Sequence, residues 1–279
     1  MEMTTLDDAL AQMEEFGLDV DYPIADGKIQ RVTFQQESRS KKSGWYTLHK
    51  VEDLFSGTYG SWKVREEGFA IIRRNSAAIE TDRAKKMRAE IVKRSEARRE
   101  EKKRIQNEAA KKANEIWDSC KTDGASEYLT RKGAFPHGAR FYKGSTLVIP
   151  MVKSGNIRSL QCISSDGFKK FLKGGEVSGC YFLIKGKTKL AICEGFATGS
   201  TIHQATGWSV AICFSASNLT KAAPYFKRKD CIICADNDEA GLTYGKRAAD
   251  DLGCKMIYPP NEGQDFNDLT IDEAKRCLI

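Results

Sequence analysis

Three carboxylates stand where short apolar runs end, and two more follow in a third acidic turn. Glu194 follows Leu190-Ala-Ile-Cys193 and is itself followed by Gly195. Asp236 and Asp238 flank Asn237 directly after Cys231-Ile-Ile-Cys-Ala235, and Asp265 and Asp268 bracket Phe266-Asn267. A charge at the mouth of a buried strand is costly unless something requires it. In an extended segment residues two apart point the same way, so Asp236 and Asp238 share a side. Converging carboxylates repel one another unless a cation neutralises them. Oxygen ligands without His or Cys suit Mg²⁺ or Mn²⁺, and Mg²⁺ also accepts phosphate oxygens. The chemistry this set offers is metal-assisted phosphoryl transfer. Gly195 is expected to let the chain turn sharply after Glu194, and Gly199 to keep the next helix N-terminus open to an anion.

The elements that must position these acids follow from the pattern around them. From residue 187 onward strands and helices alternate: LAICEG, ATGSTIHQAT, SVAICF, LTKAAPYF, CIICAD, AGLTYGKRAADDL, CKMIYPP. That alternation predicts an α/β, Rossmann-like, mostly parallel sheet, with ligands gathering at the carboxyl ends of its strands. Residues 122–186 carry GSTLVIPMV, IRSLQCIS, KKFLKG and GCYFLIKG, which predict consecutive strands joined by glycine-containing turns in an α+β subdomain. Residues 76–118 lack Gly and Pro and predict a long helix inside a charged linker, 73–121. Residues 1–72 predict a small β-rich module, with Asp26-Gly27 and Ser43-Gly44 as turns.

Charge and cysteine usage narrow the function classes. The net charge of +7 permits a polyanionic partner. Most of it lies between Glu80 and Lys112, which reads either as a solvated spacer or as an arm along a nucleic-acid backbone. The longest apolar runs are too short for a bilayer span, and the acidic, amphipathic start MEMTTLDDALAQMEEF is unlike a secretory signal. Cys162, Cys193, Cys213, Cys231 and Cys234 lie inside apolar runs, as reduced core cysteines do, which points to the cytoplasm. Cys231-Ile-Ile-Cys234 has no second Cys/His pair at zinc spacing, so no zinc is expected.

The E-G after one strand and the D-N-D-x-A-G turn after a later one resemble the Toprim domain shared by bacterial-type primases, topoisomerases and some nucleases. The likeness extends to the Toprim primases of phages and plasmids. Their D-G-K…G-W-Y pattern is echoed by Asp26 to Lys28 and Gly44 to Tyr46. Their Y-L-x-R-K-G…H-G segment appears as Tyr128 to Gly133 and His137-Gly138. V-I-P, S-L-Q, K-x-F-L-x-G-G, G-C-Y-F and D-F-N-D follow at Val148, Ser159, Lys170, Gly179 and Asp265. The resemblance implies a DNA primase, a nucleotidyltransferase that makes short RNA primers on single-stranded DNA from nucleoside triphosphates. It also implies Glu194 as general acid/base and Asp236 and Asp238 as metal ligands, with Asp265 and Asp268 near a second Mg²⁺ or Mn²⁺. A 3′-hydroxyl would attack the α-phosphate, and pyrophosphate would leave. A Toprim nuclease or a non-catalytic replication accessory protein are the alternatives. No zinc-binding module and no Walker A motif are visible, so a separate helicase or template-recognition factor is the expected partner.

Around this set stand candidates for template or triphosphate binding. Arg131, Lys132, Arg140 and Lys143 flank the Pro136-His137-Gly138 turn, and Lys169, Lys170 and Lys173 lie on GFKKFLKGG. Ser217 and Asn218 fall at the same sheet edge as the acids and could hold a phosphate or cap a helix. His203 reads as a satisfied helix residue. Trp45, Tyr46, Tyr59 and Trp62 read as the core of the first module, or as a stacking platform for single strands.

Overall fold

Alternating residues in Asp26–Phe34 and Gly44–Val51 build the first sheet. The computed structural model describes residues 4–35, 37, 42–51, 53–63, 69–72, 82–227 and 230–279; residues 76–81 of the expected helix lie outside these. The chain divides into two compact units, Met1–Glu100 and Glu101–Ile279.

In the first unit α1 (Leu6–Glu15) is capped by Thr5, whose side chain accepts from the Asp8 N–H. It precedes β1 (Leu18–Asp19), β2 (Asp26–Phe34), β3 (Gly44–Val51), β4 (Leu54–Ser61) and β5 (Phe69–Ile71), paired in sequence order and antiparallel. The pleat sorts the aromatic residues. Tyr46 and Tyr59 are buried with Met13, Phe34 and Leu48, and the Tyr46 hydroxyl accepts from the Ile24 N–H at 2.9 Å. Trp45 and Trp62 instead pair with each other, ring centroids 5.6 Å apart, with Trp62 59% exposed.

The helix α2 (Asp82–Ser119) contains no Gly or Pro to break it. It is more than a solvated spacer. Arg98 donates to the Gly27 and Asp26 carbonyls at 2.7 and 3.0 Å. In the second unit Ala113, Ile116 and Trp117 pack with Val148 and Leu160.

The second unit continues with α3 (Glu127–Lys132), ended by left-handed Gly133. Next come β6 (Arg140–Tyr142), β7 (Thr146–Lys153), β8 (Asn156–Ile163) and β9 (Lys169–Phe171), a four-stranded antiparallel sheet in that order. A second sheet runs β10-β12-β11-β13-β14, comprising β10 (Phe182–Ile184), β11 (Leu190–Cys193), β12 (Ser209–Ile212), β13 (Cys231–Cys234) and β14 (Lys255–Ile257). The last four are parallel, and β10 is antiparallel to β12. Between and after them lie α4 (Phe196–Thr206), α5 (Ala216–Ala222), α6 (Glu239–Leu252) and α7 (Ile271–Leu278). Alternate residues of β11 enter two different cores: Ala191 and Cys193 on one face, Leu190 and Ile192 on the other. This is the pattern of a sheet covered on both sides.

One strand sits elsewhere than the sequence predicts. GCYFLIKG reads as the last of the consecutive strands of residues 122–186; Tyr181 does bridge Val152 of β7, yet Phe182–Ile184 pairs with Val210–Ile212 and covers the outer edge of β12. Turn signals mark where a strand ends, not which sheet receives it. Among the described residues no helix is long and apolar enough to cross a membrane.

Candidate active site

Glu194 leaves the end of β11, Asp236 leaves the end of β13, and Asp265 precedes the 3₁₀ turn Phe266–Asp268. All three line one pocket of about 190 Å³, together with Tyr128, Lys132, Gln161, Lys169, Phe214 and residues 195–198. The parallel strands β11 and β13 are hydrogen-bonded neighbours, so their carboxyl ends put Glu194 and Asp236 side by side. Gly241 helps bring α6 close, because a Cβ there would lie 2.3 Å from the Asp236 carbonyl oxygen.

The electrostatics are those of crowded acids. Burial first, then Glu194, Asp265 and Asp238, push the Asp236 carboxyl up to about 7, and Lys169 opposes the shift. Burial and Asp238 raise Glu194, again against Lys169. Asp236 Oδ1 is buried without a hydrogen-bond partner. A buried acceptor left unmade is costly, so an orphan here marks a place for a ligand or ion.

Asp238 and Asp265 have local duties as well. Asp238 caps α6, accepting from the Gly241 N–H at 2.6 Å, and Asp265 accepts from the Asn267 N–H at 2.5 Å. Asp268 is exposed and its Oδ2 accepts from the Asp265 N–H at 2.9 Å, completing a capping box. It lines a different pocket, beside Tyr258 and Arg276. Among the described residues no three His, Cys, Asp or Glu side chains are grouped closely enough to hold a metal ion as they stand. Of these acids it is Asp236 that keeps a buried oxygen without a partner, the one atom here that a cation could take up. The other acids contribute the negative field around it.

The basic residues separate. Lys132 and Lys169 face the acids in the pocket. Arg131 donates to the Ser165 carbonyl at 3.0 Å, and Arg140 donates to the Trp117 carbonyl while stacking 4.3 Å from that indole's centroid. Lys143 lies over the Tyr142 ring, and Lys170 and Lys173 are exposed. Asn218 is 2% exposed and fully engaged: its Oδ1 accepts from the Gly179 N–H, and its Nδ2 donates to the Cys180 and Cys213 carbonyls. Its polar atoms are spent on the fold, which leaves none for a phosphate. Ser217 lies half-buried beside it on α5. His203 Nδ1 meets the Trp208 carbonyl at 2.7 Å, and Cys231 and Cys234 are buried in β13.

The glycine expectations need correction. Gly195 has an extended backbone (φ −97°, ψ 153°) that any residue adopts, so no special turn requires it. Gly199 serves packing: a Cβ there would lie 2.7 Å from Ile212 Cγ1. The small residue lets α4 sit directly on the sheet.

Several contributors carried no legible signal. Asn237 donates to the Pro259 carbonyl at 2.8 Å and fixes the loop leading to Asp265. Asn267 donates to the Lys132 carbonyl at 2.8 Å and to Thr201 Oγ1 at 3.0 Å, tying the end of α3 to α4. Tyr128 and Gln161 appear in quoted motifs but reveal their place only by lining the pocket.

Residues 189–275 match the Toprim domain family model, so the acids belong to a Toprim domain of α/β fold. Over most of its length the chain is also similar to the DNA primase TraC of Escherichia coli. One such relative is 28% identical over 269 residues, covering 86% of this chain and 24% of that protein. A second is 26% identical over 293 residues, covering 92% and 20%. The chain thus spans about a fifth to a quarter of the length of these relatives. Among solved structures, the primase fragment of the bacteriophage T7 primase-helicase is 20% identical, with a TM-score of 0.43 over 57% of this chain and 74% of that one. The E. coli primase catalytic core is 16% identical, with a TM-score of 0.37 over 54% and 61%.

Proposed function

We propose that this chain is a primase-type nucleotidyltransferase of a phage, plasmid or other mobile element, joining ribonucleotides on single-stranded DNA. The observation that carries the reading is one pocket with Glu194, Asp236 and Asp265 gathered in it and Lys132 and Lys169 beside them. Similarity to the TraC primases over most of the chain supports it. A divalent cation, Mg²⁺ or Mn²⁺, held at Asp236 with Asp238 and Asp265 close by, would neutralise the acids and polarise a phosphate oxygen. Lys132 and Lys169 would offset phosphate charge. Glu194, its carboxyl raised by burial and by Asp238, is suited to take the proton of the attacking 3′-hydroxyl. Such a reaction belongs in the cytoplasm, with template unwinding supplied by a separate helicase.

The test is incorporation of labelled ribonucleotides on unprimed single-stranded DNA with Mg²⁺ or Mn²⁺, with product lengths resolved. Short products are expected, and the template should keep its length when triphosphates are omitted. Glu194→Gln should lower incorporation about 10²-fold or more, the scale of losing a general acid/base. Template cleavage without triphosphates, abolished by Glu194→Gln, would replace the polymerase reading with hydrolysis.

A further inference from the structure

Tyr128, on α3, is 3% exposed, and its hydroxyl has no hydrogen-bond partner. Two groups mark where that hydroxyl lies: the Ala197 backbone N–H and the Asp265 carboxylate both act on it. Both belong to residues lining the acid pocket. Neither group is within hydrogen-bonding geometry of the hydroxyl, so the phenol's own proton is unpaired in the fold. A phenol keeps its proton at neutral pH, so this hydroxyl is a donor.

The neighbouring helix end is equally unspent. α4 runs eleven residues, and Gly195 at its cap provides no side-chain hydrogen bond. Its first turn carries no acidic side chain. The first N–H groups of a helix have no partner inside it and carry its positive end. A Cβ on Gly195 would lie 3.0 Å from Thr198 Oγ1, so a side chain there would crowd this turn. An unused donor and an uncapped helix N-terminus in one pocket call for an anion with several acceptor oxygens.

We propose that the Tyr128 hydroxyl and the N-terminus of α4 form one seat for a phosphate group of the incoming nucleotide, with the hydroxyl donating to a phosphate oxygen. The proposal rests on the nucleotidyltransferase reading and deepens it by naming the residue that orients the triphosphate. The carboxylates lining the same pocket repel an anion arriving alone, so the seat fills when a divalent cation accompanies the nucleotide.

The experiment is equilibrium binding of ATP with Mg²⁺, without template, to the full chain and to Tyr128→Phe and Gly195→Ala. Thermal melts without nucleotide and single-stranded DNA affinity are measured in parallel. Tyr128→Phe should weaken ATP binding about tenfold, the scale of a hydrogen bond to a charged group. It should melt at or above the wild-type temperature, because the deleted hydroxyl bonds to nothing in the fold, and keep its DNA affinity. Gly195→Ala should weaken ATP in the same direction. Unchanged ATP affinity in Tyr128→Phe overturns the seat. So does a fall in its melting temperature, which would show the hydroxyl bonded within the fold. The outcomes separate from those of the parent reading. Incorporation with normal ATP binding by Tyr128→Phe sinks the seat alone, and Tyr128-dependent ATP binding without incorporation sinks the primase reading alone.

Discussion

At the scale of single residues, the metal-free pocket sets charge against stability. Asp236 titrates near 7 in the fold against 3.8 ordinarily. Between those values the native state holds a proton that the unfolded chain has released, so stability falls as pH rises through the window. Above about 7 both states are charged, and the penalty for a buried, repelled carboxylate is complete. Asp236→Asn removes that penalty. Its melting temperature should exceed that of the wild type by a margin that widens from pH 4 to pH 7, measured without divalent cations. Groups shared by both proteins, such as the buried His137 lowered to about 4, cancel in the difference. Adding Mg²⁺ should stabilise the wild type more than the variant, by mass action on the native state. A margin that stays flat across this range would remove Asp236 as the centre of the acid site.

At the scale of elements, α2 divides its cations between fold and solvent. Arg98 is spent on the carbonyls of Asp26 and Gly27, and Arg104 pairs with Glu101 and Glu108. Arg99 and Lys102 are exposed on the same helix. If α2 follows a nucleic-acid backbone, neutralising Arg99 and Lys102 to Gln should flatten the salt dependence of single-strand binding. The slope should fall by about 0.7 per phosphate contact removed. Both positions are solvated, so the melting temperature should hold. An unchanged slope would leave α2 as a structural strut. Arg98→Gln belongs to a separate experiment, because it cuts a tether and should lower stability as well.

At the scale of the molecule, every residue lining the acid pocket falls between Tyr128 and Asp265, inside the unit Glu101–Ile279. That unit has its own cores, including the packing of Ala113, Ile116 and Trp117 with Val148 and Leu160. A fragment of residues 101–279 should therefore fold cooperatively and bind ATP with Mg²⁺ within about threefold of the full chain. Circular dichroism melts and equilibrium binding check this. Failure of the fragment to fold would show that the first unit contributes to the stability of the second.

The parallel sheet of the second unit was legible in the sequence because its strands are continuous apolar runs separated by helices, which leaves little choice of class. The positions of Glu194 and Asp236 were legible for a related reason: a charge straight after a buried strand must lie at the sheet's edge. Local pattern also determined the long α2, whose sequence offers nothing to stop a helix. What the sequence could not supply was partnership. Phe182–Ile184 carries the same signal whether it joins one sheet or the other, and only the free edge of β12 decides. Asn218 and Asn267 are both polar residues near strand or turn ends, yet one is consumed bracing Gly179 and the other fixes Lys132 to α4. Tyr128 shows in the sequence only as part of the Y-L-x-R-K-G segment, and the fold buries it in the pocket lined by residues 197 and 265. Hydrogen-bond satisfaction is a property of three-dimensional neighbours far apart in the chain, so only the tertiary structure could show which polar groups were already spent and which were waiting for a ligand.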